Sequence, residues 1–228
     1  MSFLPYGPWL LLALLVLVYY IIDKLKPEAL ARFEENTLAI LLAVITLVAF
    51  TQVIARYGFN SGWSGALEFQ RILFAWLILF GMSYGVRTST HLGVDAFVRM
   101  LPPSAMKMVA IFGALACIVY AAIFLAADWL QIFGADTKGG SVFYWSKIYK
   151  INAGLDEMKW PEFMVNALGL KERLPRWLAY LILPAGLALF ILRSAQALVQ
   201  IAKGERDLII AGHEAEDLVA EHKDALKD

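Results

Sequence analysis

Four uninterrupted apolar runs, at about residues 36–58, 66–87, 106–133 and 176–201, limit this chain to very few folds. Each is long enough to cross about 30 Å of hydrocarbon, which takes roughly 20 helical residues. Inside a bilayer every backbone N–H and C=O must find a partner within the chain, so only helices and closed barrels can span it. None of the runs shows the period-two alternation of a barrel strand, and all four are therefore expected to be α-helices. Tyr57, Phe59 and Trp63 stand between the first two runs, Trp129 and Phe133 close the third, and Trp177 and Tyr180 open the fourth. Such aromatic residues favour the headgroup region. Composition agrees: 60% of the residues are hydrophobic and only 18% charged, whereas a soluble domain carries about 25% charged residues.

The N-terminal run Phe3–Ile22 is broken early by Pro5, Gly7 and Pro8, so its solid helical part is Trp9–Ile22. It lacks the basic start and small-residue cleavage site of a removed signal peptide. Being apolar on all faces, it does not suit a helix lying flat in the interface. The expected architecture is thus all-α and integral to the membrane, with four core spans and a fifth, short N-terminal span. A re-entrant or partly inserted segment is the alternative for the fifth. The chain divides into the N-terminal helix (1–25), a membrane domain (26–203) with an outer loop at 134–175, and an acidic tail (204–228).

Charge in short loops sets orientation. Lys24, Lys26 and Arg32 flank one connection, Arg87, Arg99 and Lys107 another, and the intervening 57–67 carries no Lys or Arg. This alternation places 23–35, 87–107 and the C-terminal tail in the cytoplasm, and 57–67 and 134–175 outside. Net charge is zero overall, yet residues 205–228 hold eight acidic and three basic residues, a net of −5. The tail reads as a solvated acidic extension. Pro27–Glu35 has proline at its start and Leu30 and Phe33 one turn apart, as a short amphipathic helix along the interface would. The outer loop is rich in Trp and Tyr and fits short helices at headgroup level, either as anchors or as a platform for an extracytoplasmic partner.

The richest stretch is 66–95. It opens with Glu68 and Arg71 one turn apart and ends with Arg87, His91 and Asp95. An ionised group deep in lipid costs roughly 3 kcal/mol or more, so this helix is expected to pack against protein. Glu68 and Arg71 can pair along one face, with Arg56 across the hairpin as a second cation. They lie one to two turns from the helix start, away from the midplane where coupling sites sit, which favours a positioning role over an ion or proton site. Gly81 and Gly85 form a GxxxG pattern suited to close helix contact. Small-residue pairs recur at Ala110/Ala114, Gly113/Cys117 and Ala122/Ala126. Asp128 and Arg193, near helix ends, are expected to snorkel, and Pro184 with Gly186 to kink the last span.

Other chemistry finds no foothold. Bis-histidine haem needs two inward imidazoles, and of the three histidines only His91 is near a span. There is no phosphate loop or nucleophile elbow, and no basic stripe of the kind nucleic acid requires. No enzymatic activity and no cofactor is expected.

The order of these features resembles the small membrane subunit (DctQ-like) of tripartite ATP-independent periplasmic (TRAP) transporters. The resemblance rests on Gln52, Arg56, Tyr57, Glu68…Arg71, Gly81…Gly85, Arg87…His91…Val94, Asp95 and Leu101–Pro102. Trp160–Pro161, Pro175–Arg176–Trp177, Leu183–Gly186 and His213–Asp217 look like the branch associated with C4-dicarboxylates. It implies a small permease subunit in the bacterial inner membrane. There it would brace a large, DctM-like subunit that holds the substrate and sodium sites, and help dock a periplasmic, DctP-like solute-binding protein. A membrane anchor for a redox or signalling complex is the competing reading, and a stand-alone channel or carrier is a third.

Overall fold

The computed structural model describes residues 7–88, 101–160, 162–169 and 171–204. Five long apolar helices are present: α1 (Gly7–Leu25), α2 (Pro27–Gly58), α3 (Ala66–Thr88), α4 (Pro103–Leu125) and the last span. That span comprises α7 (Arg176–Tyr180) and α8 (Ile182–Lys203). The helices run alternately up and down. We call basal the end where α1 meets α2, and distal the end that carries the segment between α4 and α7.

The N-terminal run is a full helix of 19 residues, about 28 Å long and so long enough to span. Lys26 alone separates α1 from α2. The amphipathic segment expected at Pro27–Glu35 is not a separate element but the first turns of α2. Proline fits the first turn of a helix without losing a hydrogen bond, and nothing after it breaks the periodicity, so one helix of 32 residues results.

Two predicted spans depart from a single unbroken helix for visible reasons. The third stops at Leu125, and Ala127–Phe133 forms a 3-10 turn instead. Gly139–Gly140 returns across the end of α4, where the Ala127 N–H donates to the Gly139 carbonyl at 2.6 Å. A Cβ on Gly140 would stand 2.6 Å from Ala126 Cα, and its φ of 146° is open chiefly to glycine. In the last span the break falls at Leu181. Proline at position 184 has no N–H for the Tyr180 carbonyl and its ring crowds that carbonyl, so the helix stops at Tyr180 and restarts at Ile182.

α8 is the hub of the bundle. Its buried face includes Leu187, Phe190, Ala197 and Ile201. Phe190, Leu187 and Ala197 pack with Val86 of α3 and Ala121 of α4. Ala110, Ala114 and Ala121 form the small-residue face of α4, and all three are buried. α3 and α8 approach closely at Gly186, where a Cβ would lie 2.8 Å from Leu79 Cβ. At Gly81 a Cβ would stand 3.7 Å from Leu38 Cδ2, an ordinary contact distance. Gly85 is buried.

The distal segment holds α5 (Ser141–Ile151), α6 (Glu162–Leu168) and an antiparallel pair, β1 (Gly154–Lys159) with β2 (Arg173–Pro175). Among the described residues, this small strand pair is what departs from the all-helical expectation. Trp145 of α5 is buried and donates from Nε1 to the Trp177 carbonyl at 2.9 Å. Tyr149 stacks edge-on against Trp177, and Tyr144 against Tyr180.

Candidate functional site

Arg193 does not snorkel from an inner helix end, as its position near the end of an apolar run suggests. It lies ten residues before the end of α8, about 15 Å along the axis, and is only 4% exposed. A guanidinium held there needs carboxylates within reach, because an unpaired buried charge is costly. Two supply it. Asp23 of α1 accepts from both terminal nitrogens, at 2.7 and 3.1 Å, and Glu34 of α2 accepts from Nη2 at 3.2 Å.

Glu34 is 1% exposed and is the junction of the cluster. One oxygen accepts from the Tyr19 hydroxyl and from Arg193, and the other pairs with Arg87 of α3. Arg87 also donates to the Pro27 carbonyl at 2.9 Å. Gln196 accepts from Arg193 and donates to Asp23, while the Arg193 guanidinium sits 5.0 Å from the centre of the Tyr19 ring. One turn away, Tyr84 of α3 donates to Glu35 of α2 at 2.8 Å. Two guanidiniums and two carboxylates thus balance, and they tie α1, α2, α3 and α8 at a single level. Such a cluster fixes which faces meet, because any other helix arrangement would strand a charge in a medium of low dielectric.

Glu68 also departs from its expected partners. Its carboxylate turns away from Arg71 and accepts three β1 amides: Asp156 at 3.0 Å, Glu157 at 2.8 Å and Met158 at 3.0 Å. A carboxylate satisfied by three N–H groups is held in place by charge-assisted bonds. Here it clamps the distal hairpin to the start of α3. A second clamp closes the α2–α3 turn, where the Gln52 side-chain amide accepts from Trp63 N–H at 3.1 Å and donates to its carbonyl at 3.0 Å. Arg176 pairs with Asp156 at 2.7 Å, and Trp76 of α3 reaches the Ala179 carbonyl at 3.1 Å.

The structure therefore separates the predicted residues. Arg87 joins the basal cluster and Glu68 the distal clamp. Arg56 and Arg71 are exposed and form no ion pair among the described residues. His91 and Asp95 lie outside the described residues, as does the acidic tail from 205. Asp128 does not snorkel but accepts the Gly139 N–H at 2.8 Å. Tyr19, Asp23 and Glu34 join the cluster without having stood out in the sequence. The signal open to the sequence was Arg193, a charge inside an apolar run; Glu34 precedes the run at 36–58. Among the described residues no three His, Cys, Asp or Glu side chains gather as a metal site would need. The arrangement holds helices in register and offers no chemistry at a reacting atom.

Residues 45–204 match the family described as tripartite ATP-independent periplasmic transporters, DctQ component. The chain is 33% identical over 192 residues to the C4-dicarboxylate TRAP transporter small permease protein DctQ of Vibrio cholerae serotype O1, covering 81% of this chain and 77% of that protein. It is 28% identical over 225 residues to the protein of the same description from Pseudomonas aeruginosa, covering 85% and 95%. A third relative so described, from Rhodobacter capsulatus, is 24% identical over 206 residues, covering 76% of this chain and 78% of that protein. No solved structure matches.

Proposed function

The chain belongs to the family of DctQ components of TRAP transporters, and on that premise we propose that it is the small permease subunit that braces a large membrane subunit during uptake of organic acids such as C4-dicarboxylates. The family is one of transport components and not of enzymes, and its members work in a tripartite complex. The large, DctM-like subunit carries the substrate and the coupling sodium ions. A DctP-like solute-binding protein delivers the substrate from the periplasm and docks at the distal end.

The observation that carries this reading is the use made of the buried charges. Glu34 and Arg193, the buried charged residues among those described, bind each other and neighbouring helices of the same chain. A coupling site needs polar groups free to take up and release an ion; this pair is committed to holding a frame. Long apolar faces on α2 (Ile40, Leu47, Phe50, Ile54) and α4 (Phe112, Val119, Phe124) remain exposed, enough for lipid on one side and a large hydrophobic partner on the other. Lys24, Lys26 and Arg32 at the basal end support a cytoplasmic basal face, with the C-terminus inside and the protein in the inner membrane.

Co-expression with the large subunit tests the proposal. The tagged chain pulls down the large subunit in stoichiometric amount, and Arg71→Glu, which reverses an exposed charge without touching the clamps, weakens that recovery. Purification of the chain alone, or with a cytochrome or a kinase in place of a permease, contradicts it.

A further inference from the structure

Two cavities meet beside α1 and α8. The first, of about 610 Å³, opens at the basal end and is lined by Lys24, Asp23, Arg87, Arg193 and Gln200. The second, of about 630 Å³, is an apolar groove between α1, α4 and α8, lined by Trp9, Leu12, Ala13, Leu17, Leu125 and Ala188. Tyr20, Leu192 and Ala195 line both, so the groove continues into the basic cavity. From Tyr20 to Trp9 the groove follows eleven residues of α1, about 16 Å, which is close to the depth of one hydrocarbon leaflet at about 15 Å. Each volume falls in the range of small-molecule sites.

The basic cavity carries an excess of positive charge. Arg87 and Arg193 are matched by Glu34 and Asp23. Lys24 adds a further cation, which lies over the face of the Tyr20 ring at 5.2 Å.

We propose that this composite site binds one anionic phospholipid, its phosphate at Lys24 and one acyl chain in the α1–α4–α8 groove. An acyl chain alone would not require the charge, and a free anion would not require the groove. Basic pockets between spans are where anionic headgroups are held. The lipid ties α1 to α8, which otherwise meet through the Asp23–Arg193 pair and a narrow strip around Leu12 and Ala188. The proposal rests on membrane insertion and stands apart from the bracing role.

The test is native mass spectrometry of the full chain, released from micelles containing equal amounts of phosphatidylglycerol and phosphatidylcholine. Wild type retains one phosphatidylglycerol in preference to phosphatidylcholine. Lys24→Ala lowers retention about fivefold. Ala13→Trp fills the groove from an exposed position and abolishes retention, with Leu17→Trp as a second filling variant and a monodisperse elution profile as the folding check. Equal retention of the two lipids, displacement of phosphatidylglycerol by inorganic phosphate, or undiminished retention in both filling variants overturns the proposal. Loss of the lipid when the large subunit is bound also overturns it, by showing that a partner helix fills the groove.

Discussion

Replacing Glu34 by leucine removes one residue and leaves two guanidiniums facing an apolar side chain. Arg193 keeps Asp23, and Arg87 keeps the Pro27 carbonyl. Breaking a buried ion pair from one side costs about 3–5 kcal/mol. For a chain of this size each kcal/mol is worth about 2–4 °C of melting temperature, so Glu34→Leu is expected to melt about 6–20 °C below wild type in detergent, followed by tryptophan fluorescence. Arg193→Leu should lose a similar amount. The pair Glu34→Leu/Arg193→Leu removes both charges and should lose clearly less than the two single losses added together, because residues in one ion network do not add. Asp23→Asn, at a carboxylate 17% exposed, should fall between wild type and Glu34→Leu. Melting of Glu34→Leu within about 2 °C of wild type, or two single losses that simply add, would refute the role given to the cluster.

Three further expectations concern separate parts of the molecule. Glu68→Ala deletes three amide acceptors at once; each hydrogen bond to a charged group is worth about 1.5–3 kcal/mol when buried and less at this half-exposed site. Amide exchange at Asp156, Glu157 and Met158 should therefore quicken roughly tenfold or more, while exchange around Glu34 stays unchanged; an unaltered hairpin would disprove the clamp. Gly186→Ala drives a methyl to 2.8 Å from Leu79 Cβ and should cost about 1–3 kcal/mol, whereas Gly81→Ala should be nearly neutral; the opposite order in thermal melts would mean that the close helix crossing is misplaced. At the distal end, Lys159 donates to Glu172 at 2.7 Å and holds that carboxyl below its usual value of 4.5. A depressed carboxylate stabilises above its unfolded value and ceases to do so as pH falls through the folded one. Protection of the Trp160 amide, which donates to the Glu172 carbonyl at 2.8 Å, should therefore exceed that of Glu172→Gln at neutral pH. The two should converge below about pH 4, and a difference that persists there would exclude the ion pair as its source.

Hydropathy was enough to count the spans, because crossing about 30 Å of lipid imposes length and apolarity on every helix. Their ends were less legible. The stop at Leu125 depends on Gly139 and Gly140 folding back over it, a tertiary event that no window over 106–133 contains. The Pro184 ring acts on the carbonyl four residues earlier, which explains why the break lies at Leu181 and not at the proline itself. Arg193, inside an apolar run, read as a side chain that snorkels, because its partner Glu34 is 159 residues away and only the packed bundle brings the two together. For Glu68, the neighbouring Arg71 at i+3 offered a local answer, and three backbone amides in one strand were the stronger one. The hairpin itself is short, with Leu155 and Met158 as its buried residues in β1, too little alternation to stand out from loop sequence. The resemblance to DctQ proteins, by contrast, rested on residues spread along the chain and agrees with the matched region at 45–204.

The bracing role is tested most directly by uptake of a labelled C4-dicarboxylate into proteoliposomes under a sodium gradient. With the large subunit, the solute-binding protein and this chain all present, the substrate should accumulate. This chain alone should accumulate none, and uptake should fail when it is left out. Accumulation by this chain alone, or full uptake in its absence, would contradict the bracing role.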